Sequence, residues 1–467
     1  MYEKKDGREV TMEEAKIQEN KMGVMPVNRL LLNMAVPMMI SMLVQALYNI
    51  VDSIFVSQIC EEAMTAVSSA FPIQALLIAF GTGTGVGVNA ILSRSLGCKD
   101  KEQAERAAHN GIFLALVSYV VFLLVGIFLV KPFFAVQTED PLILQYGVDY
   151  LSIVCIFSFG IYAQLIFERV LQACGYTLYT MFTQGVGAII NIIFDPIFIF
   201  GWFGLPAMGT AGAALATVMG QIIAAILALV MNKKLNREVE IHFRRVRPNW
   251  RIIAEIYRVG IASILMQAVG SVMYFGMNMI LMPFTATAST VWGAFYKLES
   301  FILMPIFGLN NGMVPIVAYN YGAGKRSRMV KTIRLSILYA VIIMLIGLAV
   351  FQLFPGLLLG MFSASDYMLE IGVPALRIMS LVYLFAGVDI VCITVFQALG
   401  NGVYGLTVSL LRQLCVLLPV AYLFAKIGGL TWIWWSLPLA ECVALIICLL
   451  FMLRIYRKVI RHVPDNP

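Results

Sequence analysis

Twelve stretches of this chain are long and apolar enough to cross a bilayer, and that fixes the fold class before any motif is considered. They fall in windows 33–56, 64–92, 110–130, 146–168, 178–200 and 209–231, then 255–283, 289–318, 333–354, 371–398, 403–425 and 430–453. A hydrocarbon core of ~30 Å takes about 20 residues of helix. With no water in that core, a spanning backbone must satisfy its own hydrogen bonds, which a helix does within one segment. The expectation is an all-α integral membrane protein of twelve transmembrane helices. Composition agrees, since 60% hydrophobic residues with only 13% charged would leave a soluble domain too little polar surface.

The connections decide orientation. Alternate loops carry the bases: six Lys and Arg ahead of the first span, four in 93–109, eight in 232–258, five in 319–334 and four in the tail, which is 27 of the 33. The loops between them carry almost none. Positive charge marks the cytoplasmic side, so both termini and the basic loops are expected there, in a multi-pass cell-membrane protein. The bases follow loop parity and do not gather on one element, so no nucleic-acid partner is expected. The first thirty residues lack an apolar core followed by a small-residue cleavage site, so no cleaved signal peptide is expected either. Eight cysteines, mostly within apolar stretches and never in a CxxC pair, read as small hydrophobes.

The chain repeats itself. Ser41-Met42-Leu43-Val44-Gln45-Ala46 recurs as Ser263-Ile264-Leu265-Met266-Gln267-Ala268, an offset of 222 residues. Val67, Ala70 and Phe71 recur as Val291, Ala294 and Phe295; Gly97 recurs as Gly322; Gln172-Ala173-Cys174-Gly175 recurs as Gln397-Ala398-Leu399-Gly400. Six spans per copy return the second copy to the same side, so the repeat is parallel. Two six-helix bundles follow, related by an axis along the membrane normal, an arrangement suited to rocking about a central cavity. The division is a cytoplasmic segment 1–28, an amino lobe 29–231, a linker 232–254, a carboxy lobe 255–453 and a tail 454–467.

Polar residues inside spans are costly and point to function. The first span carries Pro37, Ser41, Gln45, Tyr48 and Asp52 at three- and four-residue spacing, hence on one face. The fifth carries Gln184, Asn191 and Asp195, the last two one turn apart. Asp52, Asn191 and Asp195 make an oxygen-rich set that suits proton exchange, because burial disfavours a charged carboxylate, or Na+ ligation. Satisfied helix packing is the plainer alternative for any one of them. The seventh span mirrors the first with Ser263, Gln267, Ser271, Tyr274 and Asn278, and the tenth adds Asp389. Gln45, Tyr48, Gln184, Gln267, Tyr274, Asn278 and Asp389 are the candidate cavity residues. Glu168 beside Arg169, and Lys297 near Glu299, read as mutually neutralising neighbours; Arg377, Arg412 and Glu441 have no evident role. The 26 methionines suit either promiscuous apolar ligands or plain packing.

Several motifs fail. Gly81 to Gly87 lacks dinucleotide-loop spacing and lies in a span, where small residues allow close helix approach. Gly322-Ala323-Gly324-Lys325-Arg326-Ser327 is not a phosphate-binding loop, so nothing here would use ATP. No nucleophile and base constellation favours an intramembrane enzyme, and no metal or other cofactor is expected.

The chain resembles the MATE (multidrug and toxic compound extrusion) family, especially its MepA-like bacterial branch, from about residue 28 to 458. The similarity rests on Gln45 to Asp52, on Asn191-Ile192-Ile193-Phe194-Asp195-Pro196, and on Pro305, Gly308, Gly312, Pro315, Tyr319, Asn320, Tyr321 and Gly322. It implies a V-shaped pair of bundles, antiport of organic cations, drugs and dyes against H+ or Na+, and a cation site at Asp52, Asn191 and Asp195. A threonine that some relatives place in span six aligns with Ala213, which tilts the expectation toward H+. An acid that another branch carries in span seven aligns with Gln267, leaving Asp389 without that partner. The superfamily also holds lipid-linked saccharide flippases, whose diphosphate cargo calls for a cationic cavity; here embedded acids outnumber bases. A monomer in contact with membrane lipid is expected.

Overall fold

The computed structural model describes residues 3–5, 8–10, 20–362 and 364–466. Much of the segment 1–28 therefore lies outside the described residues; within it Glu3–Lys5 pairs with Arg8–Val10 as a short antiparallel ribbon. The rest is helical. The amino lobe consists of α1 (Val27–Ser57), α2 (Glu61–Gly97), α3 (Lys101–Gln137), α4, α5 (Thr177–Phe200) and α6 (Thr210–Leu235). The carboxy lobe consists of α7 (Trp250–Leu281), α8 (Ala286–Gly322), α9 (Arg326–Leu353), α10 (Asp366–Ala398), α11 (Gly402–Gly428) and α12 (Leu430–Lys458).

The expected fourth span, α4, is a bent pair. Pro141–Ile156 and Phe159–Ala173 meet at 44°, so the described residues hold eleven other helices long and apolar enough to span, plus this broken one. Several spans outrun their apolar windows. At ~1.5 Å per residue, the 37 residues of α2 and of α8 reach well past a ~30 Å core. Bulky apolar side chains such as Phe128, Ile193, Phe275 and Ile346 stay more than half exposed on the outer faces, as lipid contact requires.

Within each lobe the helix pairings repeat. α1 packs on α5 as α7 packs on α11, α2 on α3 as α8 on α9, and α5 on α6 as α11 on α12. The lobes meet through α1 with α8, α2 with α7, and α2 with α8. Six glycines set that seam, in three pairs 225 residues apart: Gly83 and Gly308, Gly87 and Gly312, Gly97 and Gly322. A Cβ at Gly97 would stand 2.0 Å from the Tyr319 carbonyl oxygen, and one at Gly322 would stand 2.1 Å from that of Arg94. Arg94 and Tyr319 are themselves 225 apart, so the repeat axis passes through this contact. The seam runs from Gly83 and Gly308, inside α2 and α8, to the ends of those helices that carry the basic loops.

A bulky residue at Gly97 is therefore expected to hold the lobes apart on this face. Cys98 Sγ lies 3.3 Å from the Gly322 carbonyl oxygen. A short bifunctional reagent should link Cys98 to a cysteine introduced by Ala323→Cys in the parent, and the yield should fall sharply in Gly97→Leu at equal expression.

Candidate functional site

Away from the seam the lobes enclose a cavity of about 820 Å³. Ser41, Gln45 and Tyr48 of α1 line it, as their shared face requires, together with Gln184 and Asn191 of α5 and Gln267 of α7. Met38, Met42, Met266, Met273 and Met304 supply flexible apolar wall, whereas Met279 and Met282 are exposed on the outside. Three of the sequence candidates lie outside the lining. Tyr274 stacks on Trp292 and makes a tilted contact with Tyr296 behind the wall, Asn278 lies a turn further along α7, and Asp389 is not among the α10 residues that form the cavity edge, which are Ala386, Ile390, Ile393, Thr394 and Gln397.

Beneath the amino-lobe wall, the predicted oxygen set comes together. The carboxyl groups of Asp52 and Asp195 lie within hydrogen-bonding reach of each other. Asn191 Nδ2 donates to Asp195 Oδ1 at 3.3 Å and to Thr217 Oγ1 of α6 at 3.2 Å. α5 and α6 approach this closely because Gly187 and Gly220 face each other, each within 3.1 Å or less of the other's carbonyl oxygen when a Cβ is placed on it. Asp195 is fully buried, and Pro196 behind it cannot donate to the Ile192 carbonyl, which loosens the helix at the site. Tyr48 and Tyr150 stand beside the pair, and Gln74 Nε2 donates to the Tyr150 hydroxyl at 2.9 Å. Asp52 Oδ1, Asp195 Oδ2 and Asn191 Oδ1 are buried acceptors with no donor among the described residues. Buried acceptors left unpaired cost free energy, and a proton or a small cation among these oxygens would satisfy them and remove the repulsion of two carboxylates.

Thr217, Tyr150 and Gln74 are additions to the sequence reading. Thr217 is one turn along α6 from Ala213, so a hydroxyl does reach this set from the sixth span, at a different position.

The assumed charge pairs are corrected. Glu168 forms no ion pair with Arg169; it accepts from Gln164 Nε2 (3.0 Å), Thr183 Oγ1 (2.9 Å) and Gln184 Nε2 (2.7 Å). Arg169 Nη1 donates to Gln172 Oε1 (2.8 Å) and, across the lobes, to Asn311 Oδ1 (2.9 Å). Gln267 Nε2 makes a second cross-lobe bond, to Thr82 Oγ1 at 3.0 Å. Lys297 is exposed, while Glu299 faces the cavity. Arg412 donates through Nη1 to both carboxylate oxygens of Glu441, at 3.1 and 3.0 Å, and Glu299 and Asp389 flank that pair. A π-helical stretch, Leu411–Leu417, turns Arg412 inward just ahead of Pro419. Arg377 is exposed near the middle of α10.

A two-lobed helical bundle around a central, polar-lined cavity, with an oxygen-rich pocket buried in one lobe, defines a multi-pass plasma-membrane transporter. The MatE family model matches residues 37–197 and 262–423, one match in each lobe, and the chain belongs to that family. It is 27% identical over 427 residues to the multidrug export protein MepA of Staphylococcus haemolyticus, covering 91% of this chain and 93% of that protein. It is likewise 27% identical over 434 residues to MepA of Staphylococcus aureus, covering 92% and 94%. Its fold matches a solved structure described as the outward-facing conformation of a multidrug resistance MATE family transporter, with a TM-score of 0.87 at 25% identity over 94% of this chain and 98% of that one.

Proposed function

We propose that this protein exports amphipathic organic cations by antiport, with H+ rather than Na+ as the coupling ion. The observation that carries the reading is the pocket of three donorless oxygens on Asp52, Asp195 and Asn191, which adjoins the cavity through Asn191 and Tyr48. Loading a proton there changes what Asn191 and Asp52 can bond to. It thereby favours one arrangement of α1 and α5 over another, by no more than the proton's differential affinity for the two. Drug and proton then compete through the lobe equilibrium without touching.

The lipid-linked saccharide flippase is the poorer fit. The charged residues lining the cavity are Glu168, Glu299 and Glu441 against Arg169 and Arg412, an excess of acid where a diphosphate would need base. Cells expressing the protein should accumulate less ethidium than cells with an empty vector, and a protonophore should abolish the difference. Equal accumulation with and without expression would overturn the reading.

Both termini and the basic loops are assigned to the cytoplasm. Phe203 is 89% exposed in the acid-and-base-poor loop between α5 and α6. Phe203→Cys should react with an impermeant thiol reagent on intact cells, and Arg247→Cys only after permeabilisation; the reverse pattern would invert the topology.

A further inference from the structure

The residues just ahead of α1 fasten the two lobes together across the closed, basic face. On the amino-lobe side Asn20 Nδ2 donates to the Cys174 carbonyl (3.1 Å) and to Glu238 Oε1 of the linker (3.0 Å), and Lys21 Nζ donates to Asn33 Oδ1 (3.0 Å). On the carboxy-lobe side three side chains take up the carbonyls of the same short segment. Asn320 Nδ2 donates to the Met22 carbonyl at 3.1 Å, Lys325 Nζ to that of Gly23 at 3.2 Å, and Arg328 Nη2 to those of Met22 (3.1 Å) and Met25 (2.7 Å). Arg328 Nε also braces Asn320 Oδ1 at 3.2 Å. Met22 is completely buried between them.

We infer that residues 20–25 are a clasp that stabilises the conformation closed on the basic face, and that detaching them from Asn320, Lys325 and Arg328 is a step in opening that face. The segment runs through Pro26 directly into α1, so it travels with the amino lobe and must break on the carboxy-lobe side when the lobes part. The hydrogen bonds there depend on three side chains, and those from Lys325 and Arg328 are charge-assisted, hence stronger than neutral ones. An interaction made in only one of two states shifts their ratio by its full differential free energy. None of these residues touches the cavity or the Asp52–Asp195 pocket, so the clasp sets the conformational balance independently of drug and proton.

The inference rests on the reading that the lobes rock, and the test separates the two. Spin labels at Phe203→Cys and Met361→Cys, both in loops on the face opposite the clasp, would be placed in a full-length background whose native cysteines are replaced. Their distance distribution would be measured in nanodiscs without drug, and in the parent at low and high pH. Long distances should dominate the parent. Arg328→Met should move the ratio of long to short populations about tenfold toward short, Arg328→Lys should restore part of the shift, and Asn20→Ala should move it the same way by less. If Arg328→Met does not fold, Lys325→Met with Asn20→Ala applies the same test. Two populations in the parent that no variant shifts would overturn the clasp alone. A single population in the parent under every condition, unchanged in the variants, would overturn rocking and the clasp with it.

Discussion

Asp195→Asn is expected to insert into the membrane, to keep drug binding and to lose all transport driven by a pH gradient. The substituted side chain would present an amide where the protonated acid presents its hydroxyl, so the pocket with Asp52, Asn191 and Thr217 would be fixed in its loaded form. The acid is fully buried, and its Oδ2 has no donor. Moving a charge in and out of such a place costs several kcal/mol in the absence of a compensating partner, which is why neutralising it removes the switch and leaves the fold intact. Equilibrium binding of a fluorescent drug should therefore change little, while ΔpH-driven efflux in proteoliposomes should fall to the rate of empty vesicles. Asp389→Asn, outside the cavity lining, should reduce efflux less. Equal loss in both variants at equal expression would move coupling into the carboxy lobe as well.

Arg412→Met is expected to be the most destabilising single change among the cavity residues. The guanidinium is the base set among Glu441, Glu299 and Asp389, and it holds Glu441 through both carboxylate oxygens. Glu441 is buried while the Arg412 side chain is partly exposed to the cavity, so removing the guanidinium leaves a buried carboxylate uncompensated, at about 1–3 kcal/mol. Glu441→Gln in the same chain should recover most of that loss. Thermal unfolding in detergent across the four-member cycle should give a coupling of about 2 kcal/mol between the two positions. Additive effects would mean that the pair contributes nothing to stability.

The spans, the repeat and the amino-lobe acid pocket were legible because each is a property of one helix or of two copies compared. Three- and four-residue spacing put Ser41, Gln45 and Tyr48 on one face, and the structure turns that face to the cavity. The 225-residue offset of Gly97 and Gly322 was visible too. What it did not reveal is that each glycine abuts the residue three positions before the other, Gly97 against Tyr319 and Gly322 against Arg94. The charge pairs failed for a geometric reason. Neighbours at i,i+1 such as Glu168 and Arg169, or at i,i+2 such as Lys297 and Glu299, point in different directions around a helix and do not face each other. Their actual partners are Gln164 and Gln172, three or four residues along the same helix, and Thr183, Gln184 and Asn311 on other helices, at separations that no local pattern encodes. Arg412 and Glu441 meet across 29 residues for the same reason. The bend at Phe157 and Ser158 left no mark either, because an apolar run reads alike whether its helix is straight or broken. Nothing in the sequence marks Thr217, which lies one turn beyond the Ala213 position that the resemblance singles out; the glycine contact between α5 and α6 that selects it is a tertiary fact.

The most direct measurement of the coupling claim is ethidium efflux from proteoliposomes of the purified protein under gradients imposed one at a time. A proton gradient alone, at equal Na+ on both sides, should drive efflux well above that of empty vesicles, and a sodium gradient alone at equal pH should not. Efflux that follows the sodium gradient and ignores pH, or that proceeds equally with neither, would contradict the account.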